Sequence, residues 1–206
     1  MRITVITADV VQSRMMSGET ETLPNRLSKL HHPQLVAGFT MSRGDEIQGV
    51  LTGWLTAPEV LRILRYTCRP LHQRIGIGLG IHTGRLTENP WELNGPAFFR
   101  ARSALDELKS SRQPRTKIVT GGEAALDQLL NAVLVLLDNI ELDWTEAQWE
   151  AVHVYEAAGT YAAAADRLGI APQNVHKRCQ AAHWNAVREA EEALRSAASL
   201  LLTLDG

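Results

Sequence analysis

Residues 74–84, RIGIGLGIHTG, set Ile75, Ile77, Leu79 and Ile81 in alternation with Gly76, Gly78 and Gly80. Apolar residues at a period of two predict a strand with one buried face. The opposite face is a row of glycines, so something packs against the backbone itself. Two occupants suit such a surface, a helix laid on the sheet or a bound phosphate. No Gly-Lys-Ser/Thr follows to complete a phosphate loop, which favours the helix. Directly downstream, Gly95-Pro96 opens a helical segment from Ala97 to Lys109, with the proline where a first turn tolerates a missing N–H.

Outward from this strand, elements of both kinds alternate. Residues 3–8 (ITVITA) predict a strand that ends at Asp9, and residues 20–33 a helix through Leu23, Leu27 and Leu30, stopped near Pro33. The stretch VAGFTMSRGDEIQGVL (36–51) reads as a β-hairpin whose two apolar runs flank a polar Ser-Arg-Gly-Asp tip. Ala57 to Cys68 is an amphipathic helix with Val60, Leu61 and Leu64 on one face. Residues 116–120 (TKIVT) form a further strand stopped by Gly121-Gly122, and Leu126 to Ile140 an apolar helix bridging two halves. Interleaved helices and strands over residues 1–138 predict an α/β (α+β) domain.

Residues 139–206 read as all-α. A helix from Thr145 to Ala158 carries Trp149, Val152 and Tyr155 at helical spacing, and Gly159-Thr160 breaks it and caps a second. That second helix, YAAAADRL (161–168), is short and small-faced; Gly169 suits the left-handed position at its end. Pro172 opens a third, PQNVHKRCQAAHW (172–184), expected to bury Val175, Cys179 and Ala182. It exposes Gln173, Asn174, His176, Lys177 and Gln180. This is the layout of a helix-turn-helix, and the third helix carries the chemistry for double-stranded DNA. Asn and Gln can read adenine edges, while Lys177 and Arg178 reach phosphates or guanine. From Arg167 to Arg188 the basic residues Arg167, Lys177, Arg178 and Arg188 meet no acidic one, although acids crowd both flanks. A plain helical bundle with a solvated polar face is the competing reading.

Composition narrows the classes further. The chain has 206 residues, 45% hydrophobic and 21% charged, with a formal net charge of −2, so it is no bulk polyanion binder. Its longest apolar stretch, Ala132 to Leu137, is far short of the ~20 residues of a membrane span. The N-terminus lacks the apolar segment of a signal peptide. Cys68 and Cys179 stand far apart and read as reduced thiols, which makes the expected location cytoplasmic. A homodimer is expected, because helix-turn-helix units pair on half-sites and the run from Leu129 to Leu137 is very apolar for one small domain to cover.

Three pieces of the first domain carry chemistry. Asp9 ends a strand, with Ser13-Arg14 close behind; Gly44-Asp45-Glu46 sits in the hairpin; Arg100 and Arg102 lie on the helix after Gly95-Pro96. Carboxylates of Asp9 and Asp45, with Glu46, are oxygen ligands suited to Mg²⁺ or Mn²⁺. Ser13, Arg14, Arg100 and Arg102 are the expected nucleotide-phosphate contacts. Singly, each motif also fits a turn or a cap.

In order, the strand-end Asp9, the hairpin Gly44-Asp45 and GIGLGIHTG resemble the palm-type catalytic domain of class III nucleotidyl cyclases, which is related to GGDEF domains. The resemblance implies a ferredoxin-like palm fold in which Asp9 and Asp45 hold two metal ions. It also implies, on the following helix, a transition-state arginine at Arg102, the candidate catalytic residue. The family's asparagine four residues earlier is replaced by Phe98, and its adenine-selecting lysine by Met41, which argues against cyclisation. The C-terminal helices resemble the short helix-turn-helix units of sigma-factor-like regulators. Across nearly the whole chain, ADVVQSR, RGDEIQGVL, GIGLGIHTG and NGPAFFRARSALDELK resemble the SatD family. The expected function is a DNA-binding transcriptional regulator, not an enzyme, whose palm-like domain senses a metal–nucleotide or similar phosphate ligand. The alternative is a metal-dependent nucleotidyl cyclase or transferase with an accessory helix-turn-helix, and a third reading is a scaffold in which both sites are relics.

Overall fold

The structure is a computed structural model that describes residues 1–11, 17–42, 45–110 and 115–204. The alternation in RITVITADV forms β1 (Arg2–Val10), which is almost wholly buried because it lies in the middle of a five-stranded sheet. α1 (Ser17–Leu27) leads to the hairpin arms β2 (Leu35–Met41) and β3 (Glu46–Thr52). α2 (Glu59–Cys68) and β4 (Gln73–Ile81) follow, then α3 (Pro96–Lys109) and β5 (Thr116–Val119). The strand order is β2-β3-β1-β4-β5. Every neighbouring pair is antiparallel except β4 and β5. The remaining helices are α4 (Ala124–Leu142), α5 (Glu146–Ala158), α6 (Tyr161–Leu168), α7 (Pro172–Ala181) and α8 (Trp184–Leu204).

Register assigns the two faces of the sheet. Ile3, Val5, Thr7 and Asp9 share one face with Val50, Gln48 and Glu46 of β3 and with Gly80, Gly78, Gly76 and Arg74 of β4. The glycine row is where α3 lies. A methyl group on Gly76 would come within 2.7 Å of the Leu105 nitrogen, and one on Gly80 within 2.8 Å of the Ala97 nitrogen. At Gly78 it would collide with the backbone of both Ala97 and Ala101. The glycine face is thus occupied by a helix, as the alternation predicts. On the other face Ile6, Ala8, Ile47, Ile75 and Ile77 pack in one cluster with Leu23 and Leu27 of α1 and Leu64 of α2. Each such buried Leu or Ile side chain contributes about 1.5–3 kcal/mol.

That cluster does not stop at the sheet. Leu130 and Leu134 of α4, Trp149 and Val152 of α5, Val175 and Cys179 of α7, and Val187 and Leu194 of α8 belong to it. The boundary expected after residue 138 lies inside α4, and the one buried cluster has members on both sides of it. α2 joins them. Its apolar face, Val60, Leu61, Leu64 and Cys68, is buried. Its other side bears Glu59, Arg62 and Arg65, and Arg69 follows directly at the end of the helix. Arg62, only 4% exposed, donates to Glu191 of α8 (Nε–Oε1 2.8 Å) and stacks over the Trp184 ring at 4.6 Å. Arg65 binds Asp138 and Glu141 of α4, Arg69 binds Glu146 of α5, and Glu59 accepts from Arg195 of α8 at 2.7 Å. Asp138 is also fixed from β5, where the Thr116 N–H donates to it at 2.6 Å.

Local chemistry starts and stops the C-terminal helices. Thr145 and Gln148 form a reciprocal capping box on α5, and Gly159 ends it at φ +75°. The Thr160 hydroxyl accepts from the Ala163 N–H to cap α6, and Gly169 ends that helix at φ +65°. Pro172 occupies the first turn of α7. Buried Ala164, Ala165, Val175 and Cys179 let α5, α6 and α7 pack mutually. α8 is an element the sequence reading did not place; Trp184, Val187, Glu191 and Leu194 turn inward at helical spacing. Among the described residues no helix is long and apolar enough to cross a membrane.

Candidate functional site

One rung of the sheet collects the charged residues. Asp9 on β1 is directly opposite Glu46 on β3 and Arg74 on β4. Arg74 Nη1 donates to Asp9 Oδ2 at 2.9 Å. From α3 above, Arg102 grips both oxygens of Glu46 (Nη1–Oε1 2.5 Å, Nη2–Oε2 2.7 Å), and Lys109 Nζ adds a third contact at 3.1 Å. Asp106 reaches Lys109 at 3.4 Å along the same helix. Asp45 precedes β3, and its carbonyl accepts from the Val10 N–H at 3.3 Å, which ties the hairpin to the end of β1.

The two acids of the rung are tuned in opposite directions. Burial, and next the negative charge of Asp45, raise the Asp9 pKa; the Arg74 hydrogen bond and the charges of Lys109 and Arg74 oppose them without winning. Glu46 is lowered to about 2, first because Arg102 hydrogen-bonds its charged form, with Lys109 adding to the effect against burial. Asp9 is therefore held above the usual carboxylate range, chiefly by burial, whereas Glu46 is held below it, chiefly by Arg102. Asp9 and Asp45, near enough for the charge of Asp45 to raise the Asp9 pKa, could offer two oxygen ligands to a hard divalent ion, with water or phosphate oxygens completing its shell. Such an ion would supply charge to hold a phosphate. Glu46 has both oxygens committed to Arg102, and among the described residues no three His, Cys, Asp or Glu side chains are placed to hold a metal.

Other expected site residues fall elsewhere. Ser13 and Arg14 lie outside the described residues, as does Gly44 of the hairpin tip. Arg100 is separated from Arg102, because two helical residues differ by about 200° and Ala97, Ala101 and Leu105 take the sheet side. It leaves on the opposite flank, donates to the Leu79 carbonyl at 2.6 Å, and lies against Gly121 beside a cavity of about 420 Å³. Leu79 pairs with Thr4, about 17 Å along β1 from Asp9. Phe98 is half-buried against the cluster that holds Ile3, Val5 and Leu93, so the position of the family's asparagine is a packing position here. Met41, at the end of β2, pairs with Ile47. Arg74 and Lys109 went unnoticed in the sequence; only the β1–β4 register and the turn of α3 bring them to Asp9 and Glu46.

A second charged surface is α7. Gln173, Asn174, His176, Lys177 and Gln180 are exposed, while Val175 and Cys179 face the core. Arg178 is half-buried, 3.9 Å from Glu150 of α5. The His176 ring stands edge-on to Tyr161 at 5.1 Å, and Tyr161 stacks on Tyr155 at 4.4 Å, which fixes the flank of α7 against α6 and α5. Arg167 and Arg188 are exposed on the adjoining helices.

These features define a mixed α/β protein with a charged rung at one end of its sheet and a three-helix unit locked to the same core. The chain belongs to the SatD family, whose profile matches residues 3–189. No match is found among curated proteins or among solved structures.

Proposed function

We propose that the protein is a DNA-binding transcriptional regulator whose sheet-end site takes a divalent ion together with a nucleotide or similar phosphate ligand. The observation that carries this reading is the Asp9–Asp45 pair beneath Arg74, Arg102 and Lys109. Among the described residues the carboxylates of Asp9, Asp45, Glu46 and Asp106 lie around these cations. A divalent ion bound there would add positive charge and favour a phosphate ligand. The succession β1-α1-β2-β3-α2-β4, with order β2-β3-β1-β4, supports a palm domain, in which such a site lies at the strand ends. The small faces of α6, the turn at Gly169 and the polar face of α7 support a helix-turn-helix on double-stranded DNA. The ion pairs of α2 supply the connection between the two surfaces. Phe98, half-buried against an apolar cluster where the related cyclases carry asparagine, favours ligand sensing over cyclisation.

Melting temperature with Mg²⁺ or Mn²⁺ and each nucleoside triphosphate tests the first surface. Ion and nucleotide should raise it, by about 2.7 kcal/mol of stability at a hundredfold excess over Kd, and Asp45→Asn should abolish the rise. Turnover to a cyclic or linked nucleotide would replace this reading with the enzyme; no shift at all would remove the metal site. For the second surface, Lys177→Ala should weaken DNA binding at every sequence and lower the salt slope by roughly one. Unchanged binding at all salt concentrations would remove α7 from the interface.

A further inference from the structure

β5 is the shortest strand of the sheet, and its last pairing sets Val119 beside Gly78. β4 runs on to Ile81, so on that side residues 79–81 have no strand next to them. A cavity of about 420 Å³ opens there, closed by the turn at residues 120–123 and by the starts of α3 and α4. Its apolar walls are Trp54, Leu79, Ile81, Pro96 and Leu126. Trp54 is fixed in place because its Nε1–H donates to the Gly80 carbonyl at 3.0 Å. Ile81 is 53% exposed, whereas Ile75, Ile77 and Leu79 of the same strand are buried.

One cation stands in this space. Arg100 is half-buried and donates from Nη1 to the Leu79 carbonyl at 2.6 Å, its one hydrogen bond among the described residues. That uses one of the five N–H donors of a guanidinium and leaves the rest open to a ligand. The group lies over Gly121, at φ +80°, where a methyl group would fall 2.0 Å from Cζ, so a side chain at 121 would take the place of the cation. Arg62, Arg65, Arg74 and Arg102 each meet a carboxylate. Among the described residues no carboxylate pairs with Arg100.

We propose that this cavity binds a small monocarboxylate with an apolar body, its carboxylate on Arg100 and its body against Trp54, Ile81 and Leu126. The inference is independent of the metal, nucleotide and DNA readings, because the cavity lies beside the rung that pairs Thr4 with Leu79, toward the other end of β1 from Asp9. The planar fork of an arginine matches the two oxygens of a carboxylate. Charge decides for a monoanion. Among the described residues of the wall Arg100 is the one base and Glu123 the one acid, so a phosphate dianion brings more negative charge than the site answers. The wall decides for a body of carbon. Its one hydroxyl, on Thr120, is spent on Asp127 at 2.6 Å, and the hydroxyls of a sugar would find few partners. Apolar walls around a few placed polar groups are the usual lining of a small-molecule site, and the volume is of that class.

Octanoate and phenylbutyrate are the probes, titrated into the isotope-labelled full chain without divalent ions and followed by amide NMR. Both should give saturable shifts at Gly80, Gly121 and Gly122. The uncharged octanamide and phenylbutyramide should bind at least about tenfold more weakly, the loss of a charged hydrogen-bonded pair. Arg100→Gln should weaken both carboxylates by a like factor. Ile81→Glu, at an exposed position, sets a second acid at the mouth; it too should weaken them, with an unchanged circular dichroism spectrum. No saturable shift with either carboxylate, amides that bind as tightly, or binding indifferent to both substitutions overturns the proposal. An equal response to inorganic phosphate alone overturns it as well, since Arg100 would then be a general anion contact.

Discussion

Two neighbouring acids on one rung, Asp9 and Glu46, should respond oppositely to pH. The folded chain holds the Asp9 proton more tightly than the unfolded chain does, so this group costs stability as pH climbs from about 3.8 through its raised value. Asp9→Asn removes that cost, and in metal-free buffer at neutral pH the variant should be at least as stable as the native chain while losing any response to Mn²⁺. Glu46 behaves in the reverse sense. Its contribution is fully present above the ordinary 4.5 and is lost as pH falls toward about 2. Both partners of the Glu46–Arg102 pair are partly exposed, so solvent screening leaves about 1 kcal/mol. Glu46→Gln should lose that amount at pH 7 and flatten the acid limb below about 4.5, as measured by urea unfolding across pH. A variant with an unaltered acid limb would mean that Arg102 does not hold Glu46 in solution. In the sequence Asp9, Asp45 and Arg102 stood out because strand ends, hairpin tips and a familiar order of motifs are local signals. Arg74 and Lys109 were illegible, since their relation to Asp9 and Glu46 exists only after β4 has found its register and α3 has settled on it.

At the scale of the element, the approach of α3 to β4 is set by hydrogen atoms in place of side chains. Gly78→Ala would drive a methyl group into backbone atoms of Ala97 and Ala101, which cannot turn aside as a side-chain tip does. We expect a loss of about 3 kcal/mol or more, the upper range for overpacking. Gly38→Ala in β2, where a methyl group meets nothing within 4 Å, is the control and should change stability by less than about 0.5 kcal/mol. Equal effects at the two positions would mean that α3 does not lie on the glycine row. This packing was legible, because a row of glycines alternating with isoleucines has few other uses. The helices of the C-terminal segment were legible for a similar reason; Thr160, Gly169 and Pro172 are punctuation that acts within a few residues. α2 was only half legible. Its apolar face shows in the spacing of Val60, Leu61 and Leu64, but an arginine read singly looks solvated, and Arg62 is buried only because Glu191 and Trp184 arrive from far along the chain.

For the whole molecule, a core continuous from sheet to helices predicts that both halves unfold together. Trp54 reports on the sheet and Trp144, Trp149 and Trp184 on the helices, and chains retaining one or the other set should melt in coincident, single transitions. Two separated transitions would establish independent units on either side of residue 138. The charged side of α2 has a further consequence for the molecule as it is made. Arg65 finds Asp138 after 73 residues, Arg69 finds Glu146 after 77, and Arg62 waits 129 residues for Glu191. A ribosome adding about 5–20 residues per second therefore delivers the acids of α4 and α5 nearly together and that of α8 on the order of seconds later. Through that interval Arg62 has Glu156, 3.7 Å away in the finished fold, but neither Glu191 nor the shielding ring of Trp184, so the sheet layer can be assembled but not sealed until α8 has been made.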